Sequence, residues 1–382
     1  MKTKTVFIVV GARPNFMKAT ALLKNLKKCA RFNPILVHTG QHYDDDMSKS
    51  FFEDLRLPKP DIYLGVGSGT HAEQTGKIMI EFEKVCFELK PDLVVVVGDV
   101  NSTIACALVA SKLFIPVAHV EAGLRSFDRT MPEEINRVLT DQISDYLFTT
   151  CKDANLNLIE EGISESKIFF VGNVMIDTLL SNIEIAKKSN ILDKLALRNN
   201  NNVKKYAVLT LHRPSNVDNP EILKGIFYAL NKLSKEIPII FPAHPRTVKK
   251  IKNFKLEQMI TFVGNISSIE LNETKQKILV TSPLSYLAFL CLMSNAKLLL
   301  TDSGGIQEET TILGIPCLTL RNNTERPITV KEGTNIVVGN SPDKIVNTAI
   351  SVLKNRIFRK KIPKYWDGKA AERIIKVLAS RF

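Results

Sequence analysis

Short apolar runs alternate with segments of helix length along most of this chain, and this alternation constrains the fold more than any other feature. The runs are rich in Val, Ile and Leu and include residues 5–10, 92–98 and 296–301. Strands that alternate with helices predict βαβ units and parallel sheets, and near-continuous apolar strands predict helices on both faces of each sheet. The predicted fold class is therefore α/β, with doubly wound sheets.

Length and one polar break predict two domains. At about 150 residues per domain, 382 residues correspond to two domains. Residues 191–206 contain four consecutive asparagines and separate two series of apolar runs, which is typical of a linker or a surface loop. We expect a Rossmann-like domain over residues 1–175 and a second over residues 176–366, facing each other across a cleft. The helical segment at about 367–382 can pack back on the first domain.

The two halves repeat one local pattern. Each contains an apolar strand that ends in an aspartate, Asp99 or Asp302, followed by small polar residues, a helix and an Ile-Pro pair before the next strand. In open α/β sheets, ligands bind outside the carboxyl ends of the strands. We therefore expect a ligand-binding corner after each of these two strands.

Composition excludes several other classes. Hydrophobic residues make up 45% and charged residues 24%, as in ordinary globular proteins, and no apolar run approaches the roughly 18 residues of a membrane helix. The first apolar run is too short for a signal peptide, so we expect a cytoplasmic protein that engages no membrane. The six cysteines show no CxxC pair and the six histidines no HxH or HExxH spacing. This favours free thiols and argues against a metal site.

The net charge of +13 admits two explanations. Basic residues are spread along the chain, and the densest run, residues 356–364, lies near the C-terminus. Nucleic-acid binding would favour a basic cluster with aromatic residues between the charges. We interpret the charge as a solvated surface that attracts a small anionic substrate, and we expect no nucleic-acid partner.

The strongest local signal is the glycine-containing turn after the apolar run at 296–301. Ser303, Gly304 and Gly305 follow that strand and precede a helix. Free N–H groups at a helix start favour a phosphate, and glycine lets the backbone approach it closely. The alternative is a plain helix cap, in which the Ser303 side chain caps the first turn. We favour the phosphate site.

The turn after the first strand is a second anion-site candidate. Pro14 suits a first helical position, and Arg13 and Lys18 then flank a helix start at the carboxyl edge of the sheet. Both cations can hold a diphosphate. The alternative is a pair of ordinary surface cations.

Three carboxylates are candidates for acid–base work. Asp99 and Glu121 each end an apolar strand, and Glu133 follows in Met-Pro-Glu-Glu. Like charges crowded together raise one pKa, which suits proton transfer near neutral pH. For Glu133 the alternative is structural, because Thr130-x-x-Glu133 matches a capping box.

Two histidine–arginine placements follow strands of the second half. His212 and Arg213 come after its first strand, and His244 and Arg246 come after the next one. A lone histidine is more often structural, whereas this repeated placement favours anion contact and acid–base roles. No G-x-G-x-x-G opens a helix after a strand, so we predict no nicotinamide cofactor.

Taken together, these stretches resemble the non-hydrolysing UDP-N-acetylglucosamine 2-epimerases over essentially the whole chain. The resemblance rests on GARPNFMK (11–18), TGQHYDDDMS (39–48), VVVVGDVNST (94–103), HVEAGLRS (119–126), MPEEINR (131–137), LHRPSNVD (211–218), TDSGGIQEE (301–309) and TERP (324–327). It implies a two-domain glycosyltransferase-B-like fold and reversible conversion of UDP-GlcNAc to UDP-ManNAc without NAD or metal. It also implies a homodimer that supplies cell-surface polysaccharide synthesis.

The resemblance assigns roles to individual positions. It implies catalytic roles for Asp99, Glu121, Glu133 and His212. It implies substrate-binding roles for Arg13, Lys18, Arg137, His244, Phe289, Ser303, Gly304, Gly305, Glu309 and Arg326. The resemblance further implies that Ser303 to Gly305 hold the UDP phosphates, that Glu309 contacts the ribose and that Phe289 lies beside the uracil.

Two departures bear on regulation. Many members have Gly-Thr-Arg-Pro-Glu and His-Arg-Arg-Glu where this chain has Gly-Ala-Arg-Pro-Asn and His-Arg-Pro-Ser. In some bacterial members the second segment, with Gln41, His42 and Arg213, builds a site for an activating second UDP-GlcNAc. Whether this chain shares that allosteric site stays open.

The substrate and the reaction type also leave alternatives. The expected chemistry is elimination of UDP, giving 2-acetamidoglucal, followed by re-addition. Relatives act on modified UDP-hexosamines such as diacetamido-uronates, and a UDP-sugar glycosyltransferase can use the same fold. A nucleic-acid-binding module is the non-enzyme alternative, and salt-sensitive binding of labelled RNA or DNA would identify it.

Overall fold

A computed structural model describes residues 3–41, 57–199, 202–263, 278–354 and 361–382, and the chain forms two compact units. The first unit comprises Met1–Ser181 and Pro363–Phe382, and the second comprises Asn182–Ile362. Each unit contains a seven-stranded parallel sheet, so the α/β prediction is confirmed.

The sheet of the first unit is doubly wound around its first strand. Its spatial order is β3-β2-β1-β4-β5-β6-β7, so the winding direction reverses between β1 and β4. Such a reversal opens a crevice at the carboxyl ends of the two strands. The strands are β1 (Lys4–Val10), β2 (Phe32–His38), β3 (Ile62–Tyr63), β4 (Leu93–Val97), β5 (Val117–Ala122), β6 (Tyr146–Thr149) and β7 (Ile168–Phe170).

Helices cover both faces of this sheet, as its apolar strands predict. Along β1, Val6 and Ile8 face one core layer while Phe7 and Val9 face another, because successive side chains of a strand alternate. The helices are α1 (Arg13–Leu26), α2 (His71–Leu89), α3 (Asn101–Lys112), α4 (Pro132–Ile143), α5 (Lys152–Glu160) and α6 (Val174–Ala186). A 3₁₀ turn at Glu165–Lys167 precedes β7.

The C-terminal segment packs on the first unit. This segment contains the last helix of the chain, α15 (Ala370–Arg381). The Asp177 carboxylate accepts hydrogen bonds from the Ala370 and Ala371 amides at 3.1 and 2.7 Å. Trp366 Nε1 donates to the Thr150 carbonyl at 2.9 Å. The start of α15 is therefore capped by Asp177, a carboxylate of the first unit.

The second unit repeats the winding. Its sheet order is β12-β13-β11-β10-β14-β15-β16, with the reversal between β10 and β14. The strands are β10 (Ala207–Thr210), β11 (Ile239–Pro242), β12 (Thr261–Phe262), β13 (Ile278–Thr281), β14 (Leu298–Thr301), β15 (Cys317–Thr319) and β16 (Asn335–Val337). The helices are α8 (Pro214–Val217), α9 (Pro220–Leu233), α10 (Pro245–Asn253), α11 (Tyr286–Ser294), α12 (Gly304–Leu313), α13 (Pro327–Lys331) and α14 (Pro342–Lys354), with a 3₁₀ turn at Glu257–Met259.

The asparagine-rich stretch lies within the second unit, so the linker alternative was wrong, while Asn199 and Asn202 are exposed, as the surface-loop alternative predicts. It begins with helix α7 (Ile191–Lys194) and continues into two short antiparallel strands, β8 (Arg198–Asn199) and β9 (Asn202–Val203). Apolar residues around the asparagines, such as Leu192 and Leu197, are buried and tie the stretch to the second unit. The two units divide between Ser181 and Asn182, within α6.

Two further findings concern site types. Within the described ranges, no helix is both long and apolar enough to cross a membrane. In the same part of the chain, no group of three or more His, Cys, Asp or Glu side chains is placed to hold a metal ion. All six cysteines are free thiols, and five of them are buried.

Candidate active site

The turn between β1 and α1 lies at the winding reversal of the first unit. The Asn15 side-chain oxygen accepts from the Gly11 and Ala12 amides at 3.2 and 3.0 Å, and its Nδ2 donates to the Val97 carbonyl at 2.9 Å. One side chain thereby joins the carboxyl ends of β1 and β4. Arg13 begins α1, but its side chain lies outside the described part of the structure.

A buried ion pair joins Lys18 to Glu121. Strand register shifts between Val120 and Ala122, and Glu121 has φ +75°, in the left-handed region that non-glycine residues rarely adopt. This bulge re-aims the side chain, as bulges beside active sites commonly do. The burial of Lys18 excludes the surface-cation alternative for that residue.

Asp99 is held by the first turns of α4. The Arg137 guanidinium forms ion pairs with both Asp99 and Glu134, and Asn136 Nδ2 donates to the Asp99 carbonyl at 2.9 Å. Glu134 also accepts from the amide and hydroxyl of Ser126 at 3.0 and 2.9 Å. Sequence reasoning missed Glu134, although its i,i+3 spacing from Arg137 was a usable signal.

Glu133 lies partly exposed in the first turn of α4, and its capping-box alternative does not form. The N-cap residue is Met131, which makes no side-chain cap bond. The Thr130 hydroxyl instead donates to Asp128 Oδ1 at 2.6 Å. The side chain of Glu133 is therefore not explained as a helix cap.

Gln41 is buried and anchors the start of α3. Its Oε1 accepts from the Ser102 amide at 2.9 Å and from the Ser102 hydroxyl at 2.6 Å. Gln74 Nε2 donates to the Gln41 carbonyl at 3.0 Å. His42, the neighbouring allosteric candidate, lies outside the described residues.

In the second unit, Asp302 organises the chain after β10. Its buried carboxylate accepts from the His212 amide at 3.0 Å and the Arg213 amide at 2.8 Å. His212 Nδ1 lies 3.0 Å from Asp302 Oδ1. Burial alone would raise the pKa of Asp302, but the His212 ring and these amides hold it below its usual value. Sequence reasoning placed Asp302 at a strand end but missed this partnership, which joins positions far apart in the chain.

Helix α12 begins at the predicted phosphate loop. Ser303 is the N-cap residue but makes no side-chain cap bond, so the plain-cap alternative is not realised. A Cβ on Gly304 would lie 2.4 Å from Arg326 Nη1, so any other residue there would displace this guanidinium. The first turn of α12 is thus packed directly against a guanidinium, and both features favour an anion.

A buried charge cluster surrounds Glu325 beside this helix start. Arg326 pairs with Glu325 at 2.9 Å and with Glu308 at 3.0 Å. Arg321 pairs with Glu325 at 2.8 Å, and Arg213 approaches it at 3.6 Å. Guanidinium groups outnumber carboxylates, so the cluster carries a positive surplus. Arg213, the remaining allosteric candidate, is therefore joined to Arg326 through one shared carboxylate.

Glu309 is a buried carboxyl on the second turn of α12. Tyr286 donates its hydroxyl to Glu309 Oε1 at 3.3 Å. Burial raises the pKa of Glu309 to about 8, with neighbouring Glu308 adding to the effect. Phe289 lies partly buried on α11, one turn after Tyr286.

His244 caps a helix. It is exposed, and its Nδ1 accepts from the Arg246 amide at 3.2 Å at the start of α10. Arg246 itself pairs with Asp218 at 2.6 Å. This second histidine–arginine pair therefore has a local structural role at the start of α10.

These observations define a class: α/β proteins of two Rossmann-like units that carry polar groups at the carboxyl ends of their strands. The family described as UDP-N-acetylglucosamine 2-epimerase matches residues 24–379. The chain belongs to this family, which confirms the resemblance seen in its motifs.

Similar proteins come from archaea and bacteria. The UDP-N-acetylglucosamine 2-epimerase of Methanocaldococcus jannaschii is 49% identical over 379 residues, covering 97% of this chain and 98% of that protein. The crystal structure of the M. jannaschii UDP-GlcNAc 2-epimerase in complex with UDP-GlcNAc and UDP superposes with a TM-score of 0.87 at 48% identity, covering 98% and 99% of the two chains. The UDP-2,3-diacetamido-2,3-dideoxy-D-glucuronate 2-epimerase of Pseudomonas aeruginosa is 40% identical over 377 residues, covering 98% and 99%.

Proposed function

We propose that this chain epimerises UDP-GlcNAc at C2 to give UDP-ManNAc, reversibly and without a redox cofactor. The observation that carries the proposal is the Lys18–Glu121 pair at a strained bulge, in a chain that belongs to the 2-epimerase family. The M. jannaschii relative supports the substrate, since its structure was determined with UDP-GlcNAc and UDP.

The proposed reaction is an elimination followed by a re-addition. A base takes the C2 proton while the C1–O bond to UDP breaks, which leaves 2-acetamidoglucal and UDP. A proton then returns to the opposite face of C2, and UDP re-adds at C1. Two faces of C2 need two proton-transfer groups, which accounts for several ionisable side chains in one enzyme.

In the first unit, the proposed catalytic carboxylates are Asp99, Glu121 and Glu133. Two of them already have cationic partners, Arg137 for Asp99 and Lys18 for Glu121. These ion pairs hold the two carboxylates in place. We assign Lys18, Arg137 and Arg13 to contacts with the substrate sugar and diphosphate.

In the second unit, the proposed nucleotide site is the start of α12. Its N–H groups and the neighbouring arginine surplus favour the departing diphosphate. His212, oriented by Asp302, is the proposed acid–base group of this unit. We assign further substrate contacts to Phe289, Ser303, Gly304, Gly305, Glu309, Arg326 and His244.

A homodimer is part of the proposal. Large apolar side chains are exposed on α2 and α4, the helices that flank α3: Ile80, Phe87, Ile135 and Leu139. Exposed apolar surface of this kind marks association sites. Phe87→Asp should then convert a dimer to a monomer in light scattering, and a monomeric wild type would contradict the assignment.

The cellular setting is proposed from the substrate class alone. UDP-linked sugars feed glycan assembly, so we propose a cytoplasmic enzyme that supplies cell-surface polysaccharide synthesis.

The name of another relative supports a second candidate substrate. The 40% identical P. aeruginosa relative carries the name of a UDP-2,3-diacetamido-2,3-dideoxy-D-glucuronate 2-epimerase. This relative supports the second candidate, in which the substrate is a UDP-HexNAc modified at other carbons and the chemistry at C2 is the same.

The deciding experiment is NMR of purified protein incubated separately with each UDP-sugar. A ManNAc anomeric signal with UDP still attached supports the main proposal, and turnover of the uronate alone supports the second candidate. Free ManNAc would indicate hydrolysis. UDP release that requires an added acceptor would indicate a glycosyltransferase.

A further inference from the structure

His119 is a fully buried histidine on β5, two residues before Glu121. Its Nδ1 lies 2.6 Å from Asp141 Oδ1, and its Nε2 lies 2.8 Å from the Gly98 carbonyl oxygen. The ring therefore spans from α4 to the end of β4. None of the roles assigned above uses it.

Both atoms facing the ring are hydrogen-bond acceptors. Asp141 is ionised, since Arg125 lies 2.7 Å from its Oδ2 and the Gly123 amide donates to the same oxygen at 3.1 Å. A carbonyl oxygen can only accept. Each ring nitrogen therefore faces an acceptor, and the Gly98 carbonyl accepts a hydrogen bond from Nε2. Arg125 also pairs with Glu161 at 2.6 Å.

The His119 ring holds the peptide group that leads into Asp99. The Gly98 amide donates to the Val120 carbonyl at 3.0 Å while its carbonyl accepts from His119, so β5 holds Gly98 at both ends. Gly98 has φ +69°, and a Cβ there would lie 2.9 Å from Lys18 Nζ. These contacts hold the Gly98 peptide group, and Asp99 is the next residue along the chain.

We propose that His119 is a positioning residue for catalysis. Its Nε2–H holds the Gly98 carbonyl and thereby places Asp99 relative to Glu121, while the Nδ1–Asp141 bond only orients the ring. The catalytic consequence rests on the proposed function, in which both carboxylates act on the substrate. The competing explanation is structural: His119 would serve only to neutralise buried Asp141.

Two amide substitutions separate these explanations, because each keeps one nitrogen of the ring. His119→Asn retains a donor near the Nδ1 position and loses the contact with Gly98. His119→Gln retains a donor near the Nε2 position and loses the contact with Asp141. Displacement of a catalytic group by about 1 Å can cost about 100-fold in rate.

We expect His119→Asn to lower kcat by about 100-fold with KM changed by less than about threefold, since the substrate's nucleotide is bound elsewhere. We expect His119→Gln to stay within about fivefold of wild type. A kcat for His119→Asn equal to or above that of His119→Gln would overturn the proposal. Circular dichroism and thermal melts confirm folding. If His119→Asn does not fold, His119→Gln alone decides: retained kcat supports the proposal, and a loss of about 100-fold overturns it.

Crystal structures of both variants test the positioning without any substrate. A displaced Gly98 carbonyl in His119→Asn that keeps its place in His119→Gln supports the proposal, and an unmoved carbonyl in both overturns it. If wild type fails to epimerise any UDP-sugar, the proposed function falls, and the position of Gly98 still decides this inference.

Discussion

The Asp302 carboxylate contacts both the backbone amide and the imidazole ring of His212. It accepts from the His212 amide at 3.0 Å and lies 3.0 Å from the ring Nδ1. Asp302 is fully buried, whereas about half of the His212 side chain is exposed. The buried acceptor therefore orients the imidazole ring of His212 through Nδ1.

Asp302→Asn should test this relationship. An amide cannot accept from both backbone N–H groups and the ring as a carboxylate does, so we expect kcat to fall by roughly 10²–10⁴. UDP affinity measured by calorimetry should change little. Asp218→Asn, which removes only the pairs with Arg246 and Lys250, is the matched control in the same unit. Wild-type turnover in Asp302→Asn would show that His212 needs no orienting partner.

The three proposed catalytic carboxylates should each be required. Asp99→Asn, Glu121→Gln and Glu133→Gln should each cut kcat by roughly 10²–10⁴ while the fold survives. Glu81→Gln, which removes an exposed i,i+3 pair with Lys84, is the control. The assignment of Glu133 is tested directly, because unchanged turnover in Glu133→Gln would remove it from the proposed proton-transfer groups.

Negative charge at the start of α12 should repel UDP. Ser303→Asp places a carboxylate where we propose that the diphosphate binds, so UDP affinity should fall by at least tenfold in calorimetry. Ser341→Asp makes the same change just before α14 of the same unit, where no nucleotide is proposed, and should have no effect. Equal affinity in both variants would argue against the phosphate loop.

The buried Glu309 should make stability depend on pH. Burial raises the pKa of its carboxyl from about 4.5 to about 8, so the protonated form is favoured in the folded state. Its stabilising contribution is complete below about pH 4.5 and is lost as the pH rises through 8. Relative to Glu309→Gln, wild type should lose at most a few kcal/mol of unfolding free energy across this window. Urea denaturation at pH 5 to 9 measures the difference, with exposed Glu221→Gln as control, and parallel stability curves would contradict the assignment.

Solvent exchange at C2 should report the chemistry. If a base removes the C2 proton and exchanges it with water, the product formed in D₂O should carry deuterium at C2 without added NAD. Mass spectrometry and NMR measure the incorporation. Epimerised product without deuterium would instead favour hydride transfer or a shielded single-base return.

Local patterns in the sequence predicted much of the architecture. Val, Ile and Leu runs predicted the central strands of both sheets, such as β4 and β14, because a strand covered on both faces must be apolar throughout. Short strands such as β6 and β16 were missed, since runs of three or four residues give little pattern to detect. The asparagine-rich stretch was misassigned as a linker for a related reason, because its few buried leucines give little periodic pattern to detect.

The candidate site divides in the same way. Residue types and their positions after strands marked Asp99, Glu121, His212 and the α12 start, because the carboxyl ends of parallel strands are where ligands bind. The pairings needed tertiary contacts: Lys18 with Glu121, Asp302 with His212, and His119 with Gly98. These partners are distant along the chain, and Glu121 and Gly98 also have positive φ angles. Such strain is maintained only by the packing around it, which no local stretch of sequence contains.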